Sequence, residues 1–135
     1  MADRSTFADF LVSHHIGDYL LQTDFQALNK KGGLDGEGSD ARRALVNHTL
    51  TYTAAFVPAL LGVARRTSMT RALGAAALIA LPHIAIDDGR LVNSYMTRVK
   101  RTPADVDADL TSRVDQSMHL VCLWAAAFVA RDRDR

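Results

Sequence analysis

Three residue pairs in this chain repeat one spacing. His14 and Asp18, His83 and Asp87, and Asp115 and His119 each lie four positions apart. On a helix, positions i and i+4 share one face, so the two side chains of each pair can converge on one point. His48 is the only His, Asp, Glu, Lys or Arg in the 21-residue run Ala44–Ala64. Four histidines and three aspartates thus sit inside otherwise apolar segments, and Gln22 continues the first stripe one turn beyond Asp18. A lone histidine is more often a satisfied core residue, and one His/Asp pair is often a local hydrogen bond. Three pairs plus His48 need a common cause, because unpaired buried charge costs several kcal/mol and Asp is a mediocre helix former. A metal site supplies that cause.

The donor set narrows the metal. Neutral imidazole and carboxylate suit Zn, Mn, Fe, Co or Ni, and one cysteine, Cys122, leaves no thiolate cage for a structural zinc. Seven candidate ligands (His14, Asp18, His48, His83, Asp87, Asp115 and His119) are too many for one tetrahedral ion. They fit two ions, or one ion with His–Asp hydrogen bonds behind it. A ferritin-like di-iron centre needs several Glu. The only Glu is Glu37, in a loop, so that centre is excluded.

The elements that must position these residues read as four helices, and nothing reads as strand. The first spans about Thr6–Asn29, with Thr6 and Asp9 resembling a capping box. The stretch 30–39 holds four of the eight glycines and reads as a flexible loop. It lacks the ending of a P-loop and the acidic spacing of a calcium loop. The second helix starts after Asp40 and runs to about Ala64, with a kink at Pro58. Thr67 or Ser68 caps the third, Met69–Val99, which contains Pro82. The fourth starts with Thr102 as cap, Pro103 in the first position and Asp105 in the first turn. It ends near Ala130, before a frayed tail at 131–135. The expected architecture is a single all-α domain over 1–135, an antiparallel four-helix bundle with a His/Asp-lined core.

Composition sets the outer limits. At 135 residues the chain is one domain by size. Sixteen basic and fifteen acidic residues leave a net charge of +1, which argues against specific nucleic-acid binding. No signal peptide is visible in residues 1–10. Hydrophobic residues make up 48%, with a mean hydropathy near zero.

The run from His14 through Gly17 and Asp18 to Gln22 and Asp24 resembles the N-terminal signature of the DUF3307 family of small bacterial and phage proteins. His48 opening His-Thr-Leu, His83–Asp87, and Asp115–His119 match that family's later blocks in order, covering about Phe10–Leu123. The resemblance implies an uncharacterised multi-helix membrane protein, more distantly similar to membrane-bound metal-dependent hydrolases. In the family a Lys often follows the third block. Here the chain reads Asp88-Gly89-Arg90, so Arg90 is expected to take that basic role.

These readings combine into one expectation: a metal-dependent hydrolase of the phosphoesterase class. The seven His and Asp residues are its ligands, His48 is a ligand or proton shuttle, and His48 and Asp115 are the catalytic pair. Gln22 and Arg90 orient a small anionic phosphate ester. The alternatives are a metal- or proton-handling membrane protein and a non-enzymatic helical bundle. The second helix is long enough to cross a bilayer, the others are shorter or carry charge, and the basic residues show no sidedness. The expected placement is membrane-associated, with lipid as a partner. A cytoplasmic protein is the alternative, in which case apolar outer faces call for a homo-oligomer. Tyr52, Phe56, Trp124 and Phe128 read as core or lipid-facing packing, and Cys122 as a small buried hydrophobe.

Overall fold

A computed structural model describes residues 5–35, 38–103 and 107–131. The chain is all-α, with no strand among the described residues. The four expected helices appear as a larger set of shorter segments, and each interruption has a local cause.

The first helix is three pieces. α1 covers Thr6–His15, a π-helical turn covers Ile16–Leu20, and α2 covers Asp24–Asn29. The capping box expected at Thr6 and Asp9 is absent, since Ser5 precedes α1 without a side-chain cap. The box forms at α2 instead, where Thr23 and Gln26 bond each other's backbone N–H groups. The π turn closes with Leu21 N–H donating to the Ile16 carbonyl at 2.9 Å. Such wide turns are frequent at functional sites.

The second helix divides into α3, Ser39–Ala55, and α4, Val57–Arg66, which meet at 45°. Pro58 sits in the first turn of α4, as a helix start tolerates. Gly38 rather than Asp40 precedes α3. α5, Met69–Asp87, continues past Pro82 without interruption, and Ser68 caps it by accepting from Arg71 N–H. Gly89, at φ 87°, then breaks the chain before α6, Arg90–Ser94, and a second π turn, Tyr95–Val99. α7 is Ala108–Val129 and its cap is Asp107. Thr102 does not cap it: its hydroxyl donates to the Met96 carbonyl. Asp105, Glu37 and the tail beyond Arg131 lie outside the described residues.

The main core lies where α1, α3, α4, α5 and α7 meet. It contains Phe10, Tyr52, Phe56, Val63, Ile79 and Leu123, with Ala72, Ala75, Ala126 and Ala127 between α5 and α7. Small side chains let those two helices, the most extensively packed pair, approach closely. Trp124 and Phe128 are on the outside, stacked on each other at 6.2 Å. α5 is long and apolar enough to cross a membrane, and α3 with α4 meets that measure if the bent pair is one span. Length and composition alone decide that measure, and the core helix of a soluble protein meets it too.

Candidate metal centre

The site is built one helical turn away from the core on four helices. Phe10, Tyr52, Ile79 and Leu123 are in the apolar cluster, and each lies four positions from a buried histidine: His14, His48, His83 and His119. The i, i+4 rule therefore stacks a histidine layer on an apolar layer. The imidazoles meet there. His48 and His83 have ring centroids 5.0 Å apart, His83 and His119 4.8 Å, and His14 and His119 5.4 Å. The first and last His/Asp pairs thus converge on one centre. All four histidines are at most 2% exposed.

Asp87 is the hub. Its Oδ2 lies 2.9 Å from His48 Nε2, 3.2 Å from His83 Nε2 and 2.7 Å from Lys30 Nζ. Asp18 Oδ1 lies 3.2 Å from the same His48 Nε2. Yet among the described residues Asp18 Oδ1, His48 Nε2 and His83 Nε2 are buried without a hydrogen-bond partner. They are close but not aligned as donor and acceptor. Buried polar atoms left in this way are rare in native proteins. Metal ligands at about 2.1 Å from an ion and at right angles to one another lie roughly 3 Å apart, and these contacts have that spacing.

Donor bookkeeping on the far side of His83 supports the same arrangement. His119 Nδ1 lies 3.0 Å from the Asp115 backbone carbonyl, which can only accept, so that nitrogen carries the proton. In its neutral form, the one that can ligate a metal, His119 offers a lone pair at Nε2, 2.9 Å from His83 Nδ1, which donates to it. His83 Nε2 is left with a lone pair facing a carboxylate, a repulsive contact unless a cation lies between them. Two groups of residues place one ligand atom each within 4.8 Å of one another: Asp18, His48, His83 and Asp87, and Asp87, Asp115 and His119.

The local electrostatics suit a cation. Burial pushes the Asp87 carboxyl up, but the close approach of His48 and His83 and the Lys30 ammonium hold it well below the ordinary carboxylate range. Asp18 is likewise lowered against burial, by His48 and His83. Burial works to lower His48, but its contacts with Asp18 and Asp87 outweigh that and raise it. Burial lowers His83 and keeps it neutral, as a ligand must be.

His14 belongs to neither ligand group. Its Nδ1 lies 3.0 Å from the Tyr52 hydroxyl and its Nε2 2.9 Å from Gln116 Oε1. The amide oxygen can only accept, so Nε2 donates and the Tyr52 hydroxyl donates to Nδ1. Both ring nitrogens are committed, so His14 links Gln116 to Tyr52. Gln116 also donates to Asp18 Oδ2 at 3.5 Å, and the Tyr52 ring stacks on His83 at 3.5 Å and 6°. Tyr52, read as packing, is therefore also part of the site. It stands four positions after His48, the spacing of the other pairs.

Gly17 makes this arrangement possible. A Cβ there would come within 2.7 Å of Tyr52 Cδ2 and 3.1 Å of Tyr52 Cα. The π turn thus presses its backbone against α3 and carries Asp18 to His48.

A cleft of about 370 Å³ opens above the centre, lined by Asp18, Tyr19, Gln22, Lys30, Lys31, Ala108, Thr111, Ser112, Asp115 and Gln116. Gln22 is there as expected, accepting from Lys30 at 2.7 Å. Arg90 is absent from it: Asp88 and Asp35 hold its guanidinium in ion pairs. The cations of the cleft are Lys30, buried on Asp87, and Lys31, half-exposed and 3.4 Å from Asp115 Oδ2. Neither was singled out in the sequence, since both open the glycine stretch. Its described part is tied down: Gly32 N–H donates to the Asp88 carbonyl at 2.9 Å, and Leu34 N–H to Asp88 Oδ1 at 2.8 Å. Asp88 therefore anchors the loop that delivers both lysines.

Residues 6–133 match a family described as a protein of unknown function, DUF3307. No curated protein and no solved structure matches the chain.

Proposed function

We propose, from the premise that this chain belongs to the DUF3307 family, that it is a metal-dependent hydrolase acting on small phosphate esters. The observation that carries this reading is the convergence of three unpartnered buried atoms, Asp18 Oδ1, His48 Nε2 and His83 Nε2, around Asp87 below a cleft that holds two lysines. Such a donor set holds Zn, Mn, Fe, Co or Ni. A divalent ion held there would supply a bound water of lowered pKa and polarise an ester oxygen. The apolar-to-polar order rises along α1 and α5 and falls along α3 and α7, which supports an antiparallel four-helix frame for the site.

In this reading Asp18, His48, His83 and Asp87 hold the ion. Asp115 and His119 stand behind them, orienting His83 and reaching Lys31. Lys30, Lys31 and Gln22 meet the anionic group of the substrate. His14 positions Tyr52 and Gln116. The experiment is a screen of phosphomonoesters, phosphodiesters and nucleotides with the Mn²⁺- or Zn²⁺-loaded chain. Asp18→Asn and His83→Ala should each abolish turnover while the helical circular-dichroism signal survives. A chain that binds no metal, with stability unchanged by chelator, removes the reading.

A second reading, a metal- or proton-handling protein associated with a membrane, draws on the apolar length of α5 and on outward Leu73, Leu81, Val121, Trp124 and Phe128. Recovery in the membrane fraction, together with metal binding but no turnover, would favour it.

A further inference from the structure

We infer that the centre takes a single divalent cation, held by Asp18, His48, His83 and Asp87, and that the Lys30 ammonium beside it supplies the second positive charge. This rests on the metal reading above and fixes the count of ions.

The two ligand groups share Asp87, the arrangement expected of a carboxylate bridging two metals. The two groups differ in what their atoms already do. Every buried unpartnered ligand atom among the described residues belongs to the first group: Asp18 Oδ1, both nitrogens of His48, and His83 Nε2. In the second group His119 Nδ1 bonds the Asp115 carbonyl, His119 Nε2 bonds His83 Nδ1, and Asp115 Oδ2 meets Lys31. A second ion there must break contacts that are already made, whereas the first fills a position where Asp18 Oδ1, His48 Nε2 and His83 Nε2 have no hydrogen-bond partner and only Asp87 is already bonded, to Lys30.

Charge leads to the same count. Asp18, Asp87 and Asp115 are three carboxylates, and Lys30 and Lys31 are two ammoniums in contact with them. The net charge is −1, and +1 with one divalent ion, which one anionic substrate group offsets. Two ions would leave +3 in a largely buried centre, at a cost that buried unpaired charge makes severe. His119 faces Asp87 Oδ1, whereas Asp87 Oδ2, the oxygen beside His48 and His83, already meets the positive charge of Lys30. Its Nζ lies 2.7 Å from Asp87 Oδ2 and 2.7 Å from Gln22 Oε1, and it lines the cleft where substrate would lie. A two-metal site clamps substrate oxygens between two cations. Here one metal and one fixed ammonium do so.

The test counts ions on the full chain, stripped with chelator and reloaded with Mn²⁺ alone. Elemental analysis and native mass spectrometry should find one Mn²⁺ per chain in the parent and one in His119→Gln. Two in the parent, falling to one in His119→Gln, overturns the single-ion count and leaves the metal reading standing. None in the parent removes the metal reading itself. For Lys30→Met, calorimetric titration should show Mn²⁺ bound at least threefold tighter, or a second ion gained, because a neighbouring positive charge is gone. Affinity and count both unchanged, or weaker binding, overturn the role of Lys30. Lys30→Gln repeats the measurement if Lys30→Met does not fold, as judged by circular dichroism.

Discussion

His48 Nε2 stands 2.9 Å from Asp87 Oδ2 with no hydrogen bond between them. The two residues are 39 positions apart in sequence and lie on α3 and α5. A buried imidazole and a buried carboxylate at that distance would align if the contact were only structural. Their misalignment, shared by Asp18 and His83, marks a shell of donors aimed at a common point.

Divalent metal should therefore stabilise the fold. Saturating Mn²⁺ or Zn²⁺ at 100-fold above its dissociation constant adds about 2.7 kcal/mol by mass action. Thermal melts with metal and with chelator measure it. His48→Ala should erase the difference, and a melting temperature identical in both conditions for the parent contradicts the site.

Asp87→Asn should be the most damaging single change. It leaves Lys30 and His48 without the carboxylate they face. Breaking a buried ion pair from one side costs about 3–5 kcal/mol. Urea unfolding of the metal-free chain reads this directly, and a loss below about 1 kcal/mol would show that the pair is not a structural keystone.

Gly17→Ala adds one methyl group where Tyr52 already stands. Overpacking of this kind costs about 1–3 kcal/mol. Because the same backbone carries Asp18, metal affinity should fall along with stability. Denaturation and metal titration of this variant should move together, and an unchanged affinity would separate Gly17 from the site.

Tyr52→Phe keeps the stack on His83 but removes the donor to His14 Nδ1. An unsatisfied buried acceptor costs about 1–3 kcal/mol. Metal stoichiometry should not change, since His14 lies outside both ligand groups. A lost ion in this variant would make His14 a ligand after all.

Acid should unfold the metal-free chain in two stages. Asp18 and Asp87 are held below the ordinary value of 3.8, so they contribute stability above that pH that is lost as pH falls through their folded values. His14 and His83 are held below 6.5, mainly by burial, so the unfolded chain takes up protons first and stability declines below 6.5. His48 and His119 are raised above 6.5 and act in the opposite sense: their contribution is present below 6.5 and disappears as pH rises through their folded values. The two histidine pairs therefore place the stability maximum near 6.5, with a decline on either side, and the carboxylates add a steep loss below about 4. Urea midpoints across pH 3–8 check the shape, and a flat acid limb contradicts it.

The sequence alone determined that the chain is helical and which residues could meet. The spacing of four within His14/Asp18, His83/Asp87 and Asp115/His119 is local, and helix geometry turns it into shared faces. That was enough to place seven polar residues inside apolar segments. Tertiary structure decided which of them meet. His14 differs from His48 only in what packs against it: Tyr52 and Gln116, 38 and 102 positions away. Lys30 enters the centre because the turn after α2 is anchored to Asp88, 58 positions on, and Arg90 leaves it because Asp88 and Asp35 claim its charge. Periodicity specifies which face a side chain occupies on its own helix. Whether a nitrogen lone pair is spent on a hydrogen bond or left for an ion depends on partners that only long-range packing brings within 3 Å.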